Sequence, residues 1–206
     1  MTPDPILDSF DSLVRRDPLA PLVASPERRA TVGDVDALAR AAAPAGLPPG
    51  ALVGLAAPNG PGMLAALRAL RRAGLAALLL DPREAGETAK ALGAAAVLRC
   101  RAGWPSGPED WSLTLTGIEG CRLPGIAVVK LTSGSTGAPR GIATPAEALV
   151  ADDAALTASM GIRKEDRFLA TIPMSHSYGL SSLAMPALMR GTLLILPDEG
   201  RIFDPL

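Results

Sequence analysis

Four short apolar runs constrain the fold of this chain more than any other feature: Leu52-Val-Gly-Leu-Ala56, Ala76-Ala-Leu-Leu-Leu80, Ala94-Ala-Ala-Val-Leu98 and Ile126-Ala-Val-Val-Lys-Leu131. Runs of this length and character read as buried strands. The first three are separated by segments of helical character. Met63 to Ala73 places Met63, Leu67 and Leu70 on one side, carries Arg68, Arg71 and Arg72, and is stopped by Gly74, while Ala85 to Leu92 is closed by Gly93. Strand, helix, strand, helix, strand at such short spacing requires crossover connections on a parallel sheet. The predicted class is therefore α/β, built from parallel-sheet crossover units with flanking helices.

The remaining chain extends this pattern. Pro5 to Arg16 spaces Ile6, Leu7, Phe10, Leu13 and Val14 as an amphipathic helix, and Val32 to Ala43 forms a second, ended by the Pro44 to Gly50 cluster. Pro58-Asn-Gly-Pro61 reads as a turn. Arg101 to Arg122 shows no period and is read as a crossing to a new part of the sheet. Thr144-Pro-Ala-Glu147 has the form of a capping box, with Thr144 as N-cap of a helix running to about Met160. Phe168 to Ile172 reads as a strand, Pro173 to Gly179 as a loop, Leu180 to Met189 as a helix interrupted near Pro186, and Thr192 to Leu196 as a strand. No internal repeat is visible.

Composition removes several functions. With 48% hydrophobic and 20% charged residues the chain is not disordered, and a net charge of −1 offers no footprint for nucleic acid. The longest apolar run, Ala73 to Leu80, lies between Arg72 and Asp81 and is too short to span a membrane. The start, MTPDPILDSFD, lacks the basic and apolar regions of a signal peptide, which gives a cytoplasmic expectation. Cys100 and Cys121 form no CxxC motif, and one histidine cannot complete a zinc site, so both thiols are read as inert and no metal ligands are assigned. Only three cations are lysines, Lys90, Lys130 and Lys164, against seventeen arginines.

The strand Ile126 to Leu131 leads directly into Thr132-Ser-Gly-Ser-Thr-Gly-Ala-Pro-Arg-Gly141. Its glycines let backbone N–H groups converge on an anion, its hydroxyls add donors and its arginine adds a full charge, a composition suited to polyphosphate. A P-loop of GxxxxGK[ST] form is absent, because Pro139 stands five residues after Gly134. A serine-hydrolase elbow of GxSxG form is missed at Ser133, although Ser135 with His176 keeps that chemistry as an alternative.

The run Leu131 to Gly141 resembles the signature of the AMP-forming adenylate enzymes, which include acyl- and aryl-CoA synthetases, luciferases and peptide-synthetase adenylation domains. Ile172-Pro-Met-Ser-His-Ser-Tyr-Gly-Leu180 is similar to the second core motif of that superfamily, and the resemblance continues upstream through Pro58-Asn59 and through Leu64 to Pro82. It implies the N-terminal part of an AMP-binding domain, with the phosphate loop at 131–141 and the second core motif at 172–180. The implied reaction joins a small carboxylic acid to ATP as an acyl-adenylate, releases pyrophosphate, and transfers the acyl group to the thiol of coenzyme A. Because a carboxylate is already ionised at pH 7, the first step needs alignment and charge neutralisation rather than a base.

By resemblance, Thr132, Ser133, Gly134, Ser135, Thr136, Gly137, Arg140 and Gly141 hold the ATP phosphates, with Arg140 where the family usually has lysine. His176 is placed where carboxylate meets adenylate, and Tyr178 and Gly179 beside the acyl group. Retention of a histidine at 176 favours acyl- or aryl-CoA ligases. The superfamily's Tyr-Gly-x-Thr-Glu segment for adenine and magnesium, its ribose aspartate and the lysine of its mobile domain have no counterpart in these 206 residues. The resulting expectation is less than half of a complete enzyme, with the magnesium ligand elsewhere and the chain inactive alone. A non-catalytic nucleotide- or anion-binding module, or a degenerate remnant of an enzyme, is the other reading.

Overall fold

The computed structural model describes residues 4–83, 85–132 and 140–197. In chain order its helices are α1 (Pro5–Arg16), α2 (Val32–Ala41), α3 (Pro61–Arg72), α4 (Ala85–Ala91), α5 (Ala146–Met160), the single turn α6 (Ser177–Gly179) and α7 (Met185–Arg190). The strands are β1 (Pro21–Ala24), β2 (Arg29–Thr31), β3 (Leu52–Ala56), β4 (Ala76–Leu79), β5 (Ala96–Cys100), β6 (Trp111–Leu115), β7 (Ile126–Thr132), β8 (Arg140–Pro145), β9 (Arg167–Leu169) and β10 (Leu193–Ile195).

The four apolar runs become the inner strands of a six-stranded sheet of order β6-β5-β3-β4-β7-β8. The β5, β3, β4 and β7 strands are mutually parallel, and β6 and β8 flank them antiparallel. Every residue of β3 and β4 is buried, as strands covered on both faces must be. Alternate residues divide between the faces. Val53, Leu55, Ala77, Leu79, Ala96 and Leu98 join the larger core with α1, α2 and α3, while Leu52, Ala56, Ala76, Leu78 and Val97 pack on α4 through Ala85 and Ala89.

A second sheet, of order β2-β1-β10-β9, shares the larger core through Leu22, Val23 and Leu194. Beneath it, α1, α2 and α3 are joined by Arg68, only 2% exposed, which donates to Asp36 and Asp11 and stacks on the Phe10 ring with its guanidinium carbon 4.6 Å from the centroid. Burial of Asp36 pushes its pKa up, but the hydrogen bond and charge of Arg68, helped by Arg40, outweigh that and leave it below 3.8.

Several expectations change. The strand expected at Ala94 to Leu98 is seated two residues later, as β5. The featureless Arg101 to Arg122 stretch first returns along β5 as β6 and only then crosses beneath the sheet, where Cys121 O accepts from Leu52 N–H and Leu123 N–H donates to Gly50 O. Thr144 is not a helix cap. It pairs with Val128 as part of β8, so the chain is still extended there; α5 starts at Ala146, after Pro145, with no side-chain cap. The helix expected to be interrupted near Pro186 changes from a π-helical stretch, Leu180–Ala184, to α7 at Met185, so the irregularity falls in the turn just before the proline. Both β1 and β2 arise where no strand was expected. Among the described residues no helix is long and apolar enough to cross a membrane.

Candidate functional site

The glycine- and hydroxyl-rich segment is flanked by an antiparallel pair. Thr132, the last residue of β7, lies opposite Arg140, the first of β8, and Leu131 lies opposite Gly141. The Thr132 hydroxyl faces the Arg140 carbonyl at 3.4 Å. Arg140 is exposed, and among the described residues no carboxylate pairs with it. Ser133, Gly134, Ser135, Thr136 and Gly137 lie outside the described residues.

His176 is delivered from the other sheet, by the segment that follows β9. The His176 N–H donates to Pro173 O at 3.0 Å, and Leu180 N–H donates to His176 O at 2.8 Å, so His176 stands at the start of the α6 turn. Gly179 is buried under this loop, where a Cβ would sit 2.1 Å from Pro173 O; its bareness is what lets α6 close onto the Pro173 backbone. On the opposite side Asn59, in the turn after β3, donates through Nδ2 to Ile172 O at 2.8 Å and Ala170 O at 3.3 Å, and accepts from Met174 N–H at 2.7 Å.

The two segments meet at one cleft of about 440 Å³, whose wall includes Leu131, Thr132, His176, Tyr178 and Asp81. Thus Thr132, His176 and Tyr178 are brought together, whereas Arg140 and Gly141 stand off its wall on β8 and Gly179 lies beneath the loop. Tyr178 is 62% exposed and also borders an adjacent apolar pocket of about 280 Å³ formed with Met160, Phe168, Ile172 and Pro186. A core-packing role for this tyrosine is thereby excluded.

Asp81, at the end of β4, is a wall residue that residue types alone did not single out. Its carboxylate accepts from Arg83 Nε at 3.1 Å, Nη2 at 3.0 Å and the backbone N–H at 2.9 Å. These bonds from Arg83, with a smaller contribution from the charge of His176, hold its pKa below 3.8. The cleft wall therefore contains an ionised carboxylate, paired with Arg83, alongside the histidine. Its only sequence signal was position, an Asp-Pro pair directly after a strand. Among the described residues no group of three His, Cys, Asp or Glu side chains is placed to hold a metal ion.

Residues 114–206, which contain both core motifs, match the AMP-binding enzyme family. This segment is just under half of the chain, and its similarity to the AMP-binding enzymes is shared by individual relatives. A probable CoA ligase, CCL5, from Humulus lupulus is 31% identical over 81 residues, 39% of this chain and 15% of that protein. A feruloyl-CoA synthase from an Amycolatopsis species is 29% identical over 119 residues, 58% of this chain and 23% of that protein. The fold is that of the O-succinylbenzoate coenzyme A synthetase of Bacillus subtilis, solved with AMP: TM-score 0.72 at 17% identity, over 92% of this chain and 55% of that one. The chain thus spans about half of that enzyme, and its matches cover less than a quarter of these two curated relatives. The hydrolase reading of Ser135 with His176 has no counterpart among the relatives named here.

Proposed function

We propose that this chain contributes the phosphate-loop and histidine side of a site that activates a carboxylic acid with ATP and passes it to coenzyme A. The observation that carries the reading is the convergence of Thr132 and His176 on one cleft from two different sheets. It is supported by relatives named as CoA ligases and synthetases.

The residues present fit a triphosphate. Thr132 offers a hydroxyl at the cleft, and Arg140 offers a guanidinium free of carboxylates among the described residues, at the far end of the same loop. When bound, ATP with magnesium supplies the electrophilic α-phosphorus and the pyrophosphate leaving group. Thr132, Arg140 and the loop between them then neutralise and orient the phosphates, a role in which arginine's fork replaces lysine's point charge. The carboxylate arrives ionised and is positioned on the His176 side, with its organic portion along Tyr178.

Isothermal calorimetry with ATP and magnesium on the 206-residue chain tests this. Arg140→Ala is expected to weaken binding by about 10- to 100-fold, the worth of a charge-assisted phosphate contact, and Arg140→Lys to restore most of it. Equal affinity in all three proteins refutes the phosphate role. Without counterparts of the superfamily's adenine, ribose and mobile-domain residues, the chain alone is expected to give no carboxylate-dependent ATP–pyrophosphate exchange; robust exchange overturns that part.

A further inference from the structure

The two halves of the site stand on separate sheets. Thr132 is carried by the six-stranded sheet, and His176 by the segment leaving the four-stranded one. Their relative placement depends on what registers one sheet against the other at this end. Apolar packing joins them but is non-directional, and a loop resting on it is free to slide by fractions of an ångström.

Asn59 is the directional link. It sits in the turn between β3 and α3, on the same sheet as Thr132, and its amide is fully used across the gap. Nδ2 donates to Ala170 O and Ile172 O, and Oδ1 accepts from Met174 N–H two residues before His176. Alternate residues 170, 172 and 174 are therefore read by one side chain. The turn bearing Asn59 is itself immobilised, because Gly60 has φ 142° and a Cβ there would lie 2.3 Å from Gly103 O, while Gly62 N–H donates to the same carbonyl at 3.1 Å. On the far side of the loop, Gly179 packs on the Pro173 backbone. The His176 segment is clamped between a fixed amide and a bare glycine.

We propose that Asn59 is a positioning residue for His176, setting the height of the histidine above the phosphate-binding edge of the cleft. Its importance for turnover rests on the function proposed above; its action on His176 does not. Replacement by aspartate keeps the shape and the bond from Met174 N–H but turns two donated bonds into repulsion between a carboxylate and the carbonyls of Ala170 and Ile172. Replacement by alanine removes all three bonds.

His176 is the only histidine in the chain, so its imidazole Cε1–H gives a single NMR signal that needs no assignment. In the 206-residue chain, Asn59→Asp and Asn59→Ala are expected to displace or broaden that signal while the far-ultraviolet circular dichroism stays native. Amide exchange at Met174 is expected to quicken about tenfold in Asn59→Ala and to stay slow in Asn59→Asp. Val35→Ala, a core truncation in α2, serves as the control for a general loss of stability and should leave the histidine signal in place. An unchanged His176 signal in both Asn59 variants, or an equal displacement in Val35→Ala, overturns the assignment. Loss of ATP binding in the wild-type chain would instead refute the proposed function and leave this result standing.

Discussion

Replacing Gly179 with alanine sets two known effects against each other. Gly179 has φ −65° and ψ −34°, ordinary helical backbone, so propensity alone favours alanine by about 1 kcal/mol. The new Cβ, however, would lie 2.1 Å from Pro173 O, 2.7 Å from its carbonyl carbon and 3.1 Å from Met174 Cα. These are backbone atoms, and the nearest must retreat by about 1 Å to reach van der Waals contact. That retreat is opposed by the Asn59 bonds at Ile172 and Met174 and by the His176 N–H bond to Pro173. Overpacking costs about 1–3 kcal/mol, and against backbone held by these bonds about 2–3 kcal/mol, which leaves a net loss of about 1–2 kcal/mol after the propensity gain. For a chain of this size the expected fall in Tm is roughly 2–8 °C. Thermal and urea unfolding followed by circular dichroism measure it, and the His176 imidazole signal should move in the same variant. A Tm equal to or above wild type would show that the loop yields freely and would refute the clamp described here.

Two further outcomes follow from the same physics. Asp36 has a depressed pKa, so the stability it contributes is fully present above pH 3.8 and is lost as pH falls through the lower folded-state value. Asp36→Asn, which breaks a buried cluster, should cost about 3–5 kcal/mol near neutrality, and the gap to wild type should narrow in acid; a gap that stays constant with pH refutes the linkage. Burial pushes the Cys100 thiol up to about 11, whereas Cys121 is exposed. One thiol per native chain should therefore react promptly with a disulfide reagent at pH 8 and a second only in urea, and two fast thiols would contradict the burial.

What was legible in the sequence was whatever local pattern and burial agree on. The β3 and β4 strands and α1 were readable because their apolar positions carry the whole signal. The β8 strand was not: Arg140-Gly-Ile-Ala-Thr-Pro145 is largely exposed and rich in breakers, and its extended form comes from pairing with β7. The same pairing overrode the capping signature at Thr144, a case of long-range hydrogen bonding defeating a correct local rule. The strands β1 and β2 were hidden by shortness and by Pro21. Within the site, Thr132 and His176 were singled out by their motifs and the resemblance those carry, whereas Asp81 joins the cleft wall only through the fold and Asn59 acts through partners distant in sequence. A Pro-Asn turn announces itself; the carbonyls it will hold, more than a hundred residues later, do not.

The Thr132–Arg140 pairing also bears on the order of assembly. Antiparallel neighbours joined by a short connection close a small loop and form within microseconds, while the parallel pairing of Ala77 with Val128 must first bring together distant stretches of chain. The β7–β8 hairpin is thus expected to be native-like in the transition state, with high φ-values at Val129 and Ala143 and low ones across β4. A chain that builds this edge first presents the proposed anion site before the histidine loop has docked, so if that proposal holds, polyphosphate added during refolding should speed the folding limb of the chevron as well as slow unfolding.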